Sequence, residues 1–128
     1  MAAMTEYLKD KLIQHVLCHV AYTSPTTVYL ALYTTPPTVG GGGTEVTGGS
    51  YVRKALTLTW GGAGTGSASN GSAVSFTGMP ACTVVGGAVL DASSGGNMLL
   101  FTPATTPRSV TAGQSIDGPV GDFVGSFD

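Results

Sequence analysis

His15 and His19 stand four positions apart with Cys18 between them, and these side chains are the best suited in this sequence to hold a metal ion. Residues four apart share one face of a helix, and imidazole and thiolate are good zinc ligands. A zinc-peptidase motif would place a glutamate directly after His15, but Val16 stands there and no nearby carboxylate supplies a third ligand. A histidine pair beside an apolar stripe is more often a pair of boundary residues, so no metal is expected. The glycine run 40–43 lacks the Gly-Lys-Ser/Thr ending of a phosphate-binding loop. The glycines of 61–71 match no dinucleotide fingerprint and precede no helix. Both stretches read as loops. Asp91, Asp117, Asp122 and Asp128 are scattered near turns, whereas calcium needs several oxygen ligands on one loop. No serine sits in a nucleophile elbow, and histidine occurs only on the N-terminal segment. No catalytic residue and no cofactor are expected, and the chain reads as a non-enzyme.

The elements that would carry these residues are mostly strands. Leu8, Leu12, Val16 and Val20 recur every four positions, with Ile13 and Leu17 widening the stripe. That spacing predicts one amphipathic helix over 5–20, capped by Thr5, with Glu6 in the first turn and Ser24 and Pro25 beyond its end. Its stripe must lie on the chain's own β core, the preferred partner, or on a neighbouring subunit. From 27 to 34 the period becomes two, with Val28, Leu30 and Leu32 on one face and Tyr29, Ala31 and Tyr33 on the other. A long glycine- and proline-rich loop follows over 36–50, and ordered loops of that length are usually functional. Residues 51–60 form the longest strand candidate, with Val52, Leu56, Leu58 and Trp60 on its apolar face.

Further strands are expected over 72–77, with Val74 and Phe76 inward, and over 81–91, where Gly86 and Gly87 suggest a bulge or a close backbone approach. Residues 97–102 pair back as a hairpin, and Pro103 and Pro107 bracket a connector. Short pieces at 109–112 and 114–116 precede a closing strand over 121–127, which turns either Phe123 and Phe127 or Val124 inward. About seven or eight short strands behind one helix predict a single domain, 1–128, built as an antiparallel β-sandwich or jelly roll.

Composition narrows the function class. Charged residues make up 9% of the chain, against about 25% in a typical domain. Hydrophobic residues make up 42%, and the mean hydropathy is +0.27, so the chain folds rather than staying disordered. A surface covered by Thr, Ser, Gly and apolar groups tends to associate, which suits a part built into an assembly. The net charge is −2, and Lys9, Lys11, Arg53, Lys54 and Arg108 form no basic cluster, so nucleic acid is not an expected partner. No apolar run is long enough to span a membrane, and Glu6, Lys9, Asp10 and Lys11 interrupt any signal-peptide core. Cys18 and Cys82 are expected as two reduced, buried thiols, which fits synthesis in a cytoplasm.

Three stretches are more specific than composition. They are Thr26-Thr27-Val28-Tyr29-Leu30-Ala31-Leu32-Tyr33-Thr34, Gly43-Thr44-Glu45-Val46-Thr47-Gly48-Gly49-Ser50-Tyr51-Val52-Arg53, and Asp91-Ala92-Ser93-Ser94-Gly95-Gly96-Asn97-Met98-Leu99-Leu100. With the helix before them they resemble a family of small tailed-bacteriophage virion proteins, often labelled tail-fibre proteins. The resemblance runs from the helix to Asp128 and departs most after Pro103. It implies a structural protein of the virion, made in the bacterial host cytoplasm. Two placements compete. The preferred one is a capsid cement or decoration protein bridging major capsid subunits, with that protein and copies of itself as partners. The alternative is a tail-fibre, tail-tip or baseplate component used in host attachment. A fibre shaft usually needs repeats or heptads, and neither occurs in this sequence.

Under the cement reading the loop 36–50 lies on partner subunits. Val46 and the polar anchors Glu45 and Arg53 then make contact, or Glu45 and Arg53 pair with each other instead. The rings of Tyr29, Tyr33 and Tyr51 either supply exposed contact area or complete the second face of the core.

Overall fold

The structure, a computed structural model, describes residues 3–118 and 124–126. A short strand β1 (Ala3–Met4) leads into the helix α1 (Glu6–Val16). The strands β2 (Val28–Thr35), β3 (Thr44–Glu45), β4 (Lys54–Leu56), β5 (Leu58–Trp60), β6 (Ser67–Asn70), β7 (Val74–Phe76), β8 (Cys82–Leu90), β9 (Met98–Val110), β10 (Ile116–Gly118) and β11 (Val124–Ser126) follow. The fold is mainly β, every strand pairing among the described residues is antiparallel, as the alternation predicts, and the helix lies near the N-terminus.

The largest sheet has the order β1-β9-β8-β2-β3, with β4 also paired to β2. A two-stranded sheet joins β10 to β7, and a three-stranded sheet runs β11-β6-β5. The main core gathers Leu32, Leu56, Val84, Val89 and Val110 of the large sheet with Val74 and Phe76 of β7, Met79, and Leu8 of the helix. The opposite face of the central strands carries a smaller cluster of Ala31, Tyr33, Ala88 and Leu90. The period-two reading of β2 therefore holds: Val28, Leu30 and Leu32 face one cluster, and Ala31 and Tyr33 face the other.

Several expectations are corrected. The helix ends at Val16 rather than Val20, because the chain leaves helical geometry through a left-handed His19 (φ 59°). The last turn widens as it closes: Cys18 N–H donates to Ile13 O at 3.2 Å and Val20 N–H to Gln14 O at 2.8 Å. Only the first half of the stripe packs on the core. Leu8 is buried, and Tyr7 and Leu12 lie against it, while Ile13, Val16, Leu17 and Val20 are exposed.

The single strand expected over 51–60 is two strands in different sheets, because β4 pairs with β2 and β5 with β6. The switch falls at Thr57, whose carbonyl accepts Gly71 N–H at 2.7 Å. Its expected apolar face is thereby divided: Leu56 is buried, but Val52 and Trp60 are exposed. The connector expected between Pro103 and Pro107 lies inside β9. There the register steps from Gly86↔Pro103 to Val84↔Arg108, so residues 104–107 stand opposite Val85 alone. A bulge tolerates proline because the missing N–H costs no ladder bond. Gly86 and Gly87 themselves pair in register with Pro103 and Thr102, so the bulge lies beside the glycine pair, on β9, and Gly87 instead marks a close backbone approach, where an added Cβ would lie 3.3 Å from Ala31 O. Cys18 is exposed rather than buried, and Cys82 is half-buried. The segment β11 falls within the expected closing strand; Phe123 and Phe127, on which its register turns, lie outside the described residues.

Thr5 anchors the helix to the sheet. Its hydroxyl accepts Leu8 N–H at 3.4 Å, as an N-cap should, and donates toward Met98 O at 2.6 Å and Leu99 O at 3.1 Å. Thr5 N–H donates to Leu99 O at 2.9 Å, and Glu6 N–H donates to Val39 O at 2.8 Å, which fastens the long loop to the helix start. Among the described residues no helix is long and apolar enough to cross a membrane.

Candidate functional site

Glu45 ends β3 and pairs with Tyr33, while Arg53 directly precedes β4, which pairs with Val28, Tyr29 and Leu30 of the same strand β2. The two short strands flank β2 at successive positions, and that brings Glu45 and Arg53 together. Arg53 Nε donates to Glu45 Oε2 at 2.9 Å and Nη2 to Oε1 at 2.8 Å, a two-point guanidinium–carboxylate pair. The alternative of mutual pairing is thus the one realised. The pair is largely enclosed, with side-chain exposures of 9% for Arg53 and 24% for Glu45.

The network continues on both sides. Arg53 Nη1 donates to Ala92 O at 2.9 Å and to Gly95 O at 2.8 Å, so the guanidinium sits in the β8–β9 turn as a fixed cation would. That turn is itself closed by Asp91, whose Oδ1 accepts Asn97 N–H at 2.7 Å. Tyr51 Oη donates to Glu45 Oε2 at 2.9 Å and accepts Leu32 N–H at 2.9 Å, and its ring stacks on Phe76 at 5.8 Å. The backbone of β2, the long loop and the β8–β9 turn are therefore tied through one ion pair. These are the three stretches that the sequence marks as most specific.

The electrostatics follow from this geometry. Burial alone would raise the Glu45 carboxyl, but the hydrogen bonds from Arg53 and Tyr51 and the Arg53 charge outweigh it, and the group titrates below its ordinary range. The hydrogen bond to Glu45 raises Arg53 against its own burial. Burial pushes the Tyr51 and Tyr33 phenols up, and the neighbouring Glu45 charge adds to both. Glu45 is thus a paired carboxylate, poorly suited to take up a proton near neutral pH.

The other predicted contact residues lie deeper than expected. Val46 is fully buried in the main core, and its N–H donates to Leu32 O at 2.9 Å. Tyr33 is buried in the second cluster, and Tyr51 packs beside the main one. Tyr29 is half-buried. Of the two alternatives for these rings, packing into the interior is the one realised at Tyr33 and Tyr51. What faces solvent around the ion pair is a different set. One cleft of about 480 Å³ is lined by Thr47, Val52, Ser93 and Ser94 beside the Glu45–Arg53 pair. Another of about 370 Å³ is lined by Thr5, Tyr7, Gly40, Gly41, Gly42 and Asn97. Arg53 and Gly95 form the partition common to both.

His15, Cys18 and His19 do not converge on a site. His15 Nδ1 accepts the backbone N–H of Tyr22 at 3.2 Å, so one ring nitrogen serves as a cap. Among the described residues no group of three or more His, Cys, Asp and Glu side chains is placed to hold a metal ion. Sequence reasoning missed the carbonyls of Ala92 and Gly95 as partners of Arg53. A turn over 92–96 is legible from its composition, but the direction of its carbonyls is not.

No curated protein matches the chain. A protein-family model matches residues 3–126, and its description is podophage GP4 fiber I protein gp80. That match spans all three sheets and the three segments joined at Arg53. The chain belongs to this fiber I family of phage virion structural proteins.

Proposed function

We propose that the chain is a non-enzymatic component of a phage tail-fibre apparatus, a folded block that holds position and presents surface rather than transforming a substrate. The observation that carries this reading is the family description, which names a fibre protein and covers 3–126. The ion-pair network supports it. A protein that transmits load through loops needs them pinned, and Arg53 pins two loops to the sheet while the outward surfaces of Thr47, Val52, Ser93 and Ser94 stay open for contact. Partners then meet hydroxyl and apolar groups, with little formal charge, in keeping with the 9% charged composition.

A second reading has its own support. A capsid cement protein bridging major capsid subunits suits a compact chain without tandem repeats or heptads. The family description favours the fibre. Position and copy number separate the two. Gold-labelled antibody on intact particles, with quantitative mass spectrometry of the same preparation, is expected to find a few copies per particle at the tail. Labelling spread over the shell, with copies matching the capsid subunits, would transfer the chain to the cement role.

A further inference from the structure

We propose that Asn70-Gly71 is a self-modifying site that the fold holds closed. In the folded chain the Asn70 amide is locked; in the unfolded chain it converts to aspartate and isoaspartate, so prolonged unfolding becomes irreversible. This property is independent of where the chain sits in a particle.

The chemistry belongs to the dipeptide. Hydroxide removes the proton from the Gly71 backbone nitrogen, which then attacks the Asn70 side-chain carbonyl carbon. A bond forms between Gly71 N and Asn70 Cγ, the Cγ–Nδ2 bond breaks, and ammonia leaves. The product is a five-membered succinimide. Water opens that ring at either carbonyl and gives aspartate or isoaspartate. Glycine in the following position favours ring closure, because it has no Cβ to hinder the approach. The sequence has one other asparagine, Asn97, and the Met98 side chain after it obstructs the same closure.

The structure holds both reacting groups off this path. Asn70 ends β6, pairs with Leu58 of β5 and is 1% exposed. Its Nδ2 donates to Ser72 O at 3.0 Å. Gly71 N–H donates to Thr57 O at 2.7 Å, which keeps the proton on the nitrogen and aims it away from the Asn70 side chain. Ring closure requires its two atoms to be oriented toward each other. Gly71 itself is exposed, so hydroxide reaches the turn and the protection lies in geometry rather than in exclusion of solvent.

The same contacts require the labile pair. A Cβ on residue 71 would lie 2.5 Å from Thr59 Oγ1, on a β-branched side chain with few rotamers to retreat into. At position 70 the amide supplies the donor that Ser72 O accepts. Neither product restores this arrangement. Aspartate places a carboxylate, an acceptor only, at an enclosed position facing a carbonyl. Isoaspartate inserts a methylene into the main chain and breaks the register of Leu58 with Asn70. The damage falls beside Thr57, where the chain passes from the large sheet to the three-stranded one. Chemical change in the unfolded state that outruns refolding makes unfolding one-way.

The test holds the full chain at mildly alkaline pH, native or in guanidinium chloride. Mass spectrometry follows the peptide containing Asn70, and enzymatic methylation detects isoaspartate. Conversion at Asn70 should be slower in the native chain by about tenfold or more, because it must await opening of the β6–β7 turn. Asn97 should keep its amide in both. Partly converted chains are then returned to native buffer and pulsed with protease. The surviving folded pool should hold Asn70 as the amide, and the digested pool should hold the converted forms. Gly71→Ala, followed in denaturant where folding is not required, should slow conversion by about tenfold. Equal rates in native and denatured chains would overturn the proposal, as would converted Asn70 shared equally between the two pools. A Gly71→Ala chain that converts as fast as wild type in denaturant would overturn the ring-closure route.

Discussion

Arg53 grips both carboxylate oxygens of Glu45, eight positions earlier in the chain, with Nη2–Oε1 at 2.8 Å and Nε–Oε2 at 2.9 Å. Its third nitrogen is spent on the carbonyls of Ala92 and Gly95, about forty positions later. One side chain therefore ties the end of the long loop to the β8–β9 turn.

Removing that side chain should be costly. Arg53→Ala leaves a mostly enclosed carboxylate and two carbonyls without their donor. A loss of about 2–4 kcal/mol is expected, below the upper range for fully buried pairs because Glu45 keeps some solvent contact. Arg53→Lys keeps the charge but not the two-point geometry, and should fall between wild type and alanine. Urea unfolding followed by tryptophan fluorescence measures both. Equal stability of Arg53→Ala and wild type would show that the network is ornamental.

Stability should decline on both sides of neutral pH. The Glu45 carboxyl is lowered in the folded state, so its contribution is complete above the ordinary value of 4.5 and is lost as pH falls through the lower folded value. The Tyr51 phenol is raised, so its contribution is complete below the ordinary value of 10.0 and is lost as pH rises beyond it. Tyr33 and Tyr22 add to the same alkaline limb. Thermal midpoints against pH should show the acid limb flattened in Glu45→Gln, with the alkaline limb reduced but still present, because burial is the larger cause of the phenol shifts.

Thr5→Ala removes an N-cap and, in the same atom, the anchor to Met98 and Leu99. The expected loss is about 1–3 kcal/mol. Thr5→Ser should recover most of it, because the hydroxyl rather than the methyl group makes these bonds. Differential scanning calorimetry distinguishes the two variants.

Glycine substitutions in the long loop should differ by position. At Gly49 (φ +57°) an added Cβ would lie 2.6 Å from Gly78 O and 2.9 Å from Pro80 N. At Gly42 (φ +81°) it would meet nothing within 4 Å. Gly42→Ala pays only the left-handed conformation, about 1–2 kcal/mol. Gly49→Ala adds a backbone clash and should lose about 3 kcal/mol or more. Equal losses in denaturant titrations would contradict the close packing of the loop against residues 78–80.

Local alternation made much of the sheet legible. Val28, Leu30 and Leu32 against Ala31 and Tyr33, and Val74 and Phe76 around Ser75, alternate because a strand sends successive side chains to opposite faces. What alternation cannot convey is which part of a face is covered by another layer. Val52 and Trp60 share the spacing of Leu56, yet the chain changes sheets at Thr57 and leaves them outside. The helix stripe has the same ambiguity, continuing past the point where Leu8 and Leu12 have used up the available core. For the ion pair, opposite charges flanking a Gly-Gly turn made pairing one of two readings. The third partner was hidden, because backbone carbonyls are present at every residue and only the folded turn aims Ala92 and Gly95 at Arg53.

The central claim, that the chain is a fixed part of the phage tail fibre, is tested most directly by locating it in the particle. Cryo-electron microscopy of intact virions should resolve density matching this fold, with the Arg53-pinned turn recognisable, in the tail fibres at a small, symmetric copy number. The same density distributed across the capsid shell and absent from the tail would contradict it.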